Sequence, residues 1–329
     1  MLERIPSEPP YIAPLAADDR DRPLFSIMIP VYNCSGYLEK CLTSVLMQDM
    51  GAKKMQIEVI DDCSTDADVG AIVQSVGKGR IGYYRKEKNM GSLRNFESCI
   101  NRSRGHLVHI LHGDDFLKDG FYREIEKLYK LFPEVGAAFT DYYYVDVNSK
   151  GMYADERLLT RRGILKDWLL YIAAKQRIQP PAMVVRRTTY EQLGGFYAVK
   201  YGEDWEMWAR IAASYEVAHS PKYLACYRVH NNNITGQSLA SGQNIKDIKK
   251  VMSIIEGYLP EEKRKEIMLK AKKNFSVYYA WMAHAMYHHY QDDSGALRQI
   301  SGALSMHTSP ETLKLAAKLY AKLLIRYKR

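Results

Sequence analysis

FSIMIPVYNCSG, at residues 25–36, and MQIEVIDDCSTD, at residues 55–66, share one plan. Each is an apolar run of strand character, closed by a turn of small polar or acidic residues that opens a helix. Working outward, the plan repeats. RIGYYR (80–85) reads as a third strand, and GSLRNFESCINRS (91–103) as the helix after it. HLVHILH (106–112) reads as a fourth strand, DGFYREIEKLYKLF (119–132) as a helix, and VGAAFTDYYYVD (135–146) as a fifth strand. Strands alternating with helices at short spacing, with few hairpin signals, predict an α/β fold: a mostly parallel, Rossmann-like sheet flanked by helices. Beyond Gly151, GILKDWLLYIAAK (163–175) and GEDWEMWARIAA (202–213) read as helices, AMVVRR (182–187) and LACYRVH (224–230) as strands.

Residues 1–23 are rich in Pro and charge and read as a flexible arm. That arm has no apolar core of the secretory type, so the expected location is the cytoplasm. No stretch of the chain approaches the ~20 apolar residues of a spanning helix. From Ser241 onward only helices are expected, so the division is 1–23 as arm, 24–236 as catalytic domain and 237–329 as a basic helical region. Residues 275–290 and 294–306 read as a helical hairpin. A last helix starts with Ser309 as N-cap and Pro310 at its first position.

The net charge of +9 is uneven: residues 237–329 carry 16 Lys/Arg against 8 Asp/Glu, and the rest 31 against 30. Lys314, Lys318, Lys322 and Arg326, four apart, form one helical stripe. It suits an anionic membrane surface, a solvated helix face is the competing reading, and these helices could equally pair subunits. No helix-turn-helix, RNP or finger pattern supports nucleic acid. The five cysteines form no C-x-x-C pair or Cys/His cluster, which argues for reduced thiols and against a zinc site.

Four clusters sit where a strand ends or a helix begins, the edge at which open parallel sheets bind ligands. Asp61 and Asp62 follow the second strand; a carboxylate there can accept from a base N–H or a ribose hydroxyl, or simply cap a helix. His112-Gly113-Asp114-Asp115 follows the fourth, and hard divalent cations take a few carboxylates plus phosphate oxygens. Glu203-Asp204 opens an amphipathic helix, as a general base or as acids on the helix dipole. Tyr227-Arg228-Val229-His230-Asn231 puts Arg228 and His230 on one strand face, suited to diphosphate and metal respectively. Tyr142, Tyr143, Tyr144 and Trp168 suit either an acceptor groove or core packing.

Taken in order, Pro30-Val31-Tyr32-Asn33, the Asp61 cluster, Asn89-x-Gly91 with Asn95, HGDD, Gly-Glu-Asp-x-x-x-Trp and Tyr-Arg-x-His resemble glycosyltransferase family 2, with its GT-A fold, over residues 24–236. The resemblance implies an inverting, metal-dependent transferase that moves a sugar from a nucleotide-sugar donor, first of all a uridine diphosphate sugar, to a glycan or lipid-linked acceptor in cell-surface polysaccharide synthesis. It implies that Pro30 and Tyr32 flank the nucleotide, Asp61 reads the base with Asp62 beside it, and Asn89 and Arg94 lie near nucleotide and phosphate. It assigns Asp114, with His230, to Mn2+ or Mg2+, and Asp204 to the catalytic base. His112, Asp115, Glu203 and Arg228 are placed with the nucleotide-sugar. Two departures stand out: His112 occupies the first acidic position of D-x-D, and Cys63 stands where a Gly is common.

Rival motifs are missing. The turn PVYNCSG is not the G-x-G-x-x-G of a dehydrogenase, and there is no G-x-x-x-x-G-K-[ST]. The Gly-rich, Arg/Lys-bearing loop of a sugar nucleotidyltransferase is absent too. The alternative from another class is a non-catalytic nucleotide-sugar-binding or scaffold protein of the same fold.

Overall fold

The computed structural model describes residues 3–15, 21–230 and 234–325. They form two compact units. The first takes the chain up to Trp168, then Arg177–Ala198 and Ser214–Val229; the second takes Leu169–Gln176, Val199–Ala213 and the chain from His230 onward.

The first unit is built on one sheet. In chain order its strands are β1 (Phe25–Val31), β2 (Met55–Asp61), β3 (Gly82–Arg85), β4 (Leu107–Ile110), β5 (Phe116–Leu117), β6 (Ala137–Val145), β7 (Gly151–Tyr153), β8 (Gly163–Ile164), β9 (Met183–Arg186) and β10 (Val217–Arg228). The order across the sheet is β3-β2-β1-β4-β9-β6-β10-β5, with β7 on β6 and β8 on β10. The strands from β3 to β4 are parallel, from Phe25 opposite Met55 to Val31 opposite Asp61, and Phe25 opposite Leu107. All seven residues of β1 are buried, which is why it reads as an unbroken apolar run rather than an alternation. β6 and β10 are also parallel to each other. Only β9, antiparallel to both β4 and β6, reverses among the long strands; β5, β7 and β8 are short antiparallel additions.

Helices α1 (Ser35–Leu46), α2 (Val69–Gly77), α3 (Ser92–Arg102) and α4 (Phe121–Leu131) cover the sheet. α1 buries Leu38, Cys41, Leu42 and Val45, the i, i+3, i+4, i+7 stripe of an amphipathic helix. The strand order reverses between β1 and β4, so the turns after these two strands lie at the topological switch point where such sheets bind ligands.

Three expectations need correction. The N-terminal stretch is not a free arm over residues 3–15. Pro6 and Pro10 accept hydrogen bonds at their carbonyls from Ala198 and Gly195 (2.9 and 2.8 Å), and Ile12 is fully buried. The chain fits because Gly194 lies against it with φ +79°; a Cβ there would meet Pro9 Cβ at 2.8 Å. The helix read at 163–175 splits: Gly163–Ile164 is β8, and α5 spans only Trp168–Ala174. Helix α6 (Arg187–Leu193) was not read, since Thr188-Thr189 has the β-branched look of strand.

The second unit is helical: the Leu169–Ala174 part of α5, α7 (Glu203–Ser214, through Ala213), α8 (Ile234–Ser241), α9 (Gln243–Tyr258), α10 (Glu261–His288), α11 (Asp293–Met306) and α12 (Pro310–Leu324). It therefore begins well before residue 236, because α5 and α7 group with the C-terminal helices. The hairpin of α10 and α11 turns at Asp292, whose Oδ1 caps Gly295 N at 2.8 Å. Gly302 lets α11 approach α9, for a Cβ there would meet Ile245 at 2.6 Å. Ser309 caps α12 through Thr312 N at 3.1 Å, with Pro310 first in the helix. α12 buries Thr312, Leu315, Ala316 and Leu319. Asn231 and Arg326 lie outside the described residues.

Candidate active site

The HGDD turn is pinned to the end of β1. Leu111 N donates to Met28 O (3.0 Å) and Gly113 N to Pro30 O (3.2 Å). A side chain at residue 113 would have its Cβ 2.9 Å from Val31 Cγ2, so glycine alone permits this approach. The turn brings together one ligand atom each of His112, Asp114 and Asp115, all within 4.8 Å of one another. The His112 ring stacks on Phe96, centroids 5.1 Å apart, and burial holds its pKa below the ordinary imidazole value, so it is a neutral nitrogen donor. Asp115 is buried; burial first, then the Asp114 charge, raises its pKa well above the carboxylate range. Its Oδ1 accepts from Arg228 N at 2.8 Å, and its Oδ2 is buried without a hydrogen-bond partner. Two carboxylates, one carrying an orphaned oxygen, and a neutral imidazole form a donor set that fits a divalent cation.

Arg228 is corrected in role. It is buried, and its donors go to backbone carbonyls: Nε to Asp114 O (2.8 Å), Nη1 to Asp146 O (2.8 Å) and Val147 O (3.0 Å). Its guanidinium lies 4.6 Å from the Tyr37 ring centroid. It positions the acidic turn rather than presenting itself to a diphosphate. His230 belongs to the second unit and is not one of the three clustered ligands.

The turn after β2 is of a different kind. Asp61 is fully buried and saturated: Oδ1 accepts from Ser64 N (2.8 Å), and Oδ2 from Tyr83 OH (2.9 Å) and Arg85 Nη1 (2.5 Å). Tyr83 and Arg85 escaped the sequence reading; their signal was the parallel register that sets Asp61 opposite Arg85, with Tyr83 two residues back on the same face. Asp62 accepts from Asn89 Nδ2 (2.9 Å), Met90 N (2.9 Å) and Gly91 N (2.8 Å), with Lys86 Nζ at 3.5 Å. It fastens the 86–91 loop. Asn89 is in turn held by Arg4, at both its backbone and its side-chain oxygen. Arg94 is also corrected: its Nε donates to Glu3 O and its Nη1 to Glu97, both at 2.7 Å, so it anchors the N-terminal strap instead of a phosphate. Pro30 is buried at the end of β1, and Tyr32 beyond it is 50% exposed. Cys63 has φ 66°, the left-handed region that favours Gly.

In the second unit, Gly202 (φ +87°) turns the chain into α7, where a Cβ would meet Ile248 Cδ1 at 2.8 Å. Glu203, Asp204 and Glu206 occupy the first turn, favoured by the helix dipole. Burial raises the Asp204 pKa to about 6, against the lowering pull of hydrogen bonds from Trp205 N (2.7 Å) and Gln176 Nε2 (2.7 Å). Glu203 is buried and raised by burial and by its neighbour Asp204. The helix is fixed by Trp205, whose Nε1 donates to Ile172 O at 2.7 Å, and by Glu206, paired with Arg210 at 3.0 Å. Gln176 was not singled out in the sequence; nothing local to it marks a carboxylate partner.

The Glycosyl transferase family 2 profile matches residues 26–192, half of the chain. The chain belongs to glycosyl transferase family 2. An uncharacterized protein of Mycobacterium tuberculosis is 29% identical over 244 residues, 70% of this chain and 75% of its own length. An uncharacterized glycosyltransferase of Rickettsia typhi is 23% identical over 251 residues, 75% of each chain. Among solved structures, Staphylococcus aureus TarS 1–349 in complex with UDP-GlcNAc matches with TM-score 0.63 and 14% identity, over 84% of this chain and 79% of that one. The mannosyltransferase PcManGT from Pyrobaculum calidifontis, in complex with GDP-Man and Mn2+, matches with TM-score 0.57 and 18% identity, over 96% and 84%. Such identities establish likeness of fold, the GT-A type.

As a family 2 glycosyltransferase, the protein carries its strand-end acids on the sheet edge expected of the fold. Trp168 and Tyr142, weighed as groove residues, are buried, and Trp168 stacks on Phe139 at 5.8 Å. Among the described residues, no helix is long and apolar enough to cross a membrane.

Proposed function

We propose that this family 2 enzyme transfers a sugar from a nucleoside diphosphate sugar, uridine diphosphate first, to a hydroxyl of a glycan or lipid-linked acceptor, inverting the anomeric carbon, in cell-surface polysaccharide synthesis. The His112–Asp114–Asp115 cluster at the switch point of the sheet carries this reading. The ligands bound to TarS and PcManGT support a nucleotide-sugar donor. His112, Asp114 and Asp115 would hold Mn2+ or Mg2+, with His230 a further candidate ligand, and the ion when bound supplies Lewis-acid neutralisation of the diphosphate leaving group. Asp61 and Asp62 shape the nucleotide side: one presents Tyr83 and Arg85, the other sets the Asn89 loop. Tyr32, exposed beyond Pro30, offers its ring to the base.

Asp204 is the general base. It takes the proton of the acceptor hydroxyl as that oxygen bonds to the anomeric carbon, and the bond from that carbon to the diphosphate breaks with its electron pair. A pKa of about 6 leaves it ionised at neutral pH yet still basic enough to accept.

The test is a thermal-shift panel of UDP, GDP and dTDP, each with and without Mn2+. A ligand at about 100 times its Kd stabilises by ~2.7 kcal/mol. The expected outcome is a metal-dependent shift with one base; no shift with any nucleotide overturns the reading.

The same reading locates the enzyme on the cytoplasmic face of an anionic membrane. α12 leaves Leu313, Tyr320 and Leu324 exposed, and Lys314 and Lys318 are exposed on the same helix. A Lys near such a surface contributes about 1 kcal/mol. The affinity for anionic vesicles, read by pelleting across a lipid titration, should therefore fall about 30-fold or more in the Lys314→Glu/Lys318→Glu variant, and an unchanged affinity removes the idea.

A further inference from the structure

In the second unit, α9 carries an acid where its packing suits an apolar side chain. Asp247 lies in the buried stripe of this helix with Ile248, Val251 and Ile255. It is 7% exposed, and a buried carboxylate is costly unless donors match it. Each of its oxygens has one: Oδ1 accepts from Gln243 Nε2 at 2.7 Å, and Oδ2 from Tyr201 N at 3.2 Å. Tyr201 lies three residues before Asp204, in the turn that Gly202 makes into α7. At Gly202 the same helix closes in, for a Cβ there would meet Ile248 and Val251.

Other ties from the C-terminal helices reach the same first turn of α7. Tyr258 OH, at the end of α9, donates to Glu206 Oε1 at 2.5 Å. Phe275 of α10 packs on the Trp205 ring, centroids 4.7 Å apart. Its neighbour Asn274 donates from Nδ2 to Ala174 O at 2.9 Å, two residues before the Gln176 that donates to Asp204. So α9 holds the backbone ahead of Asp204, and α10 holds the end of α5 that supplies its second donor. A region that reads in the sequence as a basic extension frames the acid in α7.

We propose that Asp247 is a positioning residue for Asp204, acting through Tyr201 N, and that the C-terminal helices are thereby part of the catalytic apparatus; the proposal rests on the reading of Asp204 as general base. A base works within hydrogen-bond reach of the proton it takes, and a displacement of about 1 Å can cost ~100-fold in rate. Charged groups face the turn from α7 itself, Glu203 and Glu206 with its partner Arg210, and from α9, Asp247. α10 brings Tyr278 and Tyr279 beside Tyr201, and α5 the neutral amide of Gln176. Asp247 acts here in two separable ways, as an acceptor that ties the turn and as a negative charge. Asn at this position keeps the first and removes the second: its oxygen accepts from Tyr201 N, and its amide meets the oxygen of Gln243, whose exposed side chain can turn over. Ala removes both.

The experiment is a carbon-13 NMR titration of the full-length protein, labelled at the Asp carboxyl carbons and free of ligand. The Asp204 resonance is the one lost in Asp204→Asn. In the wild type it should titrate near 6. In Asp247→Ala it should fall toward the ordinary Asp value, ~3.9, as the turn loosens and water reaches the carboxyl. Asp247→Asn should stay with the wild type. Tyr258→Phe removes the tie to Glu206 without emptying the core, so it too should lower the value, and it carries the test if Asp247→Ala does not fold. A titration unmoved in Asp247→Ala, or in Tyr258→Phe where that variant stands in, overturns the proposal. An equal fall in the Ala and Asn variants also overturns it, because charge alone then acts. The base reading fails separately: near-normal turnover in Asp204→Asn removes it, whatever the titrations show.

Discussion

The acidic turns that close β2 and β4 look alike in sequence and differ in physics. Asp61 and Asp62 are buried and matched oxygen by oxygen with donors: Ser64 N, Tyr83 OH and Arg85 for the first, Asn89, Met90 N and Gly91 N for the second. Asp115 is just as buried, but one of its oxygens has no partner and its pKa is pushed up. A saturated carboxylate holds the chain together and resists change. An under-matched one is held at a free-energy cost that a ligand can relieve. Under the proposed function, the difference would separate the acids that shape the nucleotide side from those that act on metal and acceptor. Asp204, in its own unit, is a third case: each oxygen has a donor, from Trp205 N and Gln176 Nε2, yet burial still raises it to about 6.

The largest effect expected from this division is on turnover. Asp204→Asn removes the base while keeping an oxygen to accept from Trp205 N, so kcat should fall ~10²–10⁴-fold with donor binding intact. In the wild type the base must be deprotonated. Log kcat/KM should therefore rise with slope one as pH approaches about 6 and level off above it. A variant with near-normal turnover, or a profile flat down to pH 5, would place Asp204 among the structural acids.

The same substitution at Asp62 and Asp115 should differ in how far it lowers stability. Asp62→Asn sets an amide N–H2 against backbone donors, at a cost of about 3 kcal/mol. Melting should fall by several degrees, at ~2–4 °C per kcal/mol. Asp115→Asn mimics the neutral acid that burial favours, keeps an acceptor for Arg228 N, and should cost under about 1 kcal/mol in metal-free protein. The sign follows from linkage: a carboxyl raised by folding withdraws stability as pH climbs from its unfolded value, ~3.9, toward the folded one, and Asn removes that slope. The Mn2+-dependent part of the nucleotide shift should vanish in Asp115→Asn and persist in Asp62→Asn. Equal melting losses in both would erase the distinction.

The two kinds of acid were not separable in the sequence. The strands were, because β1, β2, β4 and β6 are buried runs closed by turn residues, and so were the positions of Asp61, Asp62, Asp114 and Asp204 at element ends. What saturates a carboxylate is non-local. Arg85 reaches Asp61 through a parallel register, and Arg94 is claimed by Glu3, 91 residues away. Antiparallel β9, threaded between β4 and β6, has the composition of any buried strand, so its direction had no local signal. The start read as an arm because Pro and charge dominate it; Pro lacks a donor, but the carbonyls of Pro6 and Pro10 still accept and tie it down.

The smallest effect is at Cys63, where the matched turn carries its own strain. A left-handed φ of 66° costs a side chain ~1–2 kcal/mol, and Gly adopts it freely. Gly also brings a more flexible unfolded chain, which offsets ~0.5–1 kcal/mol of that gain. The thiol makes only long contacts, to Glu87 O and from Arg85 Nη2, both 3.7 Å. Cys63→Gly should therefore shift stability by less than about 1 kcal/mol, toward stabilisation, read from the urea midpoint. A loss well beyond ~1 kcal/mol would mean that the sulfur helps hold Arg85 over Asp61, making the saturated state of that acid depend on the side chain at residue 63.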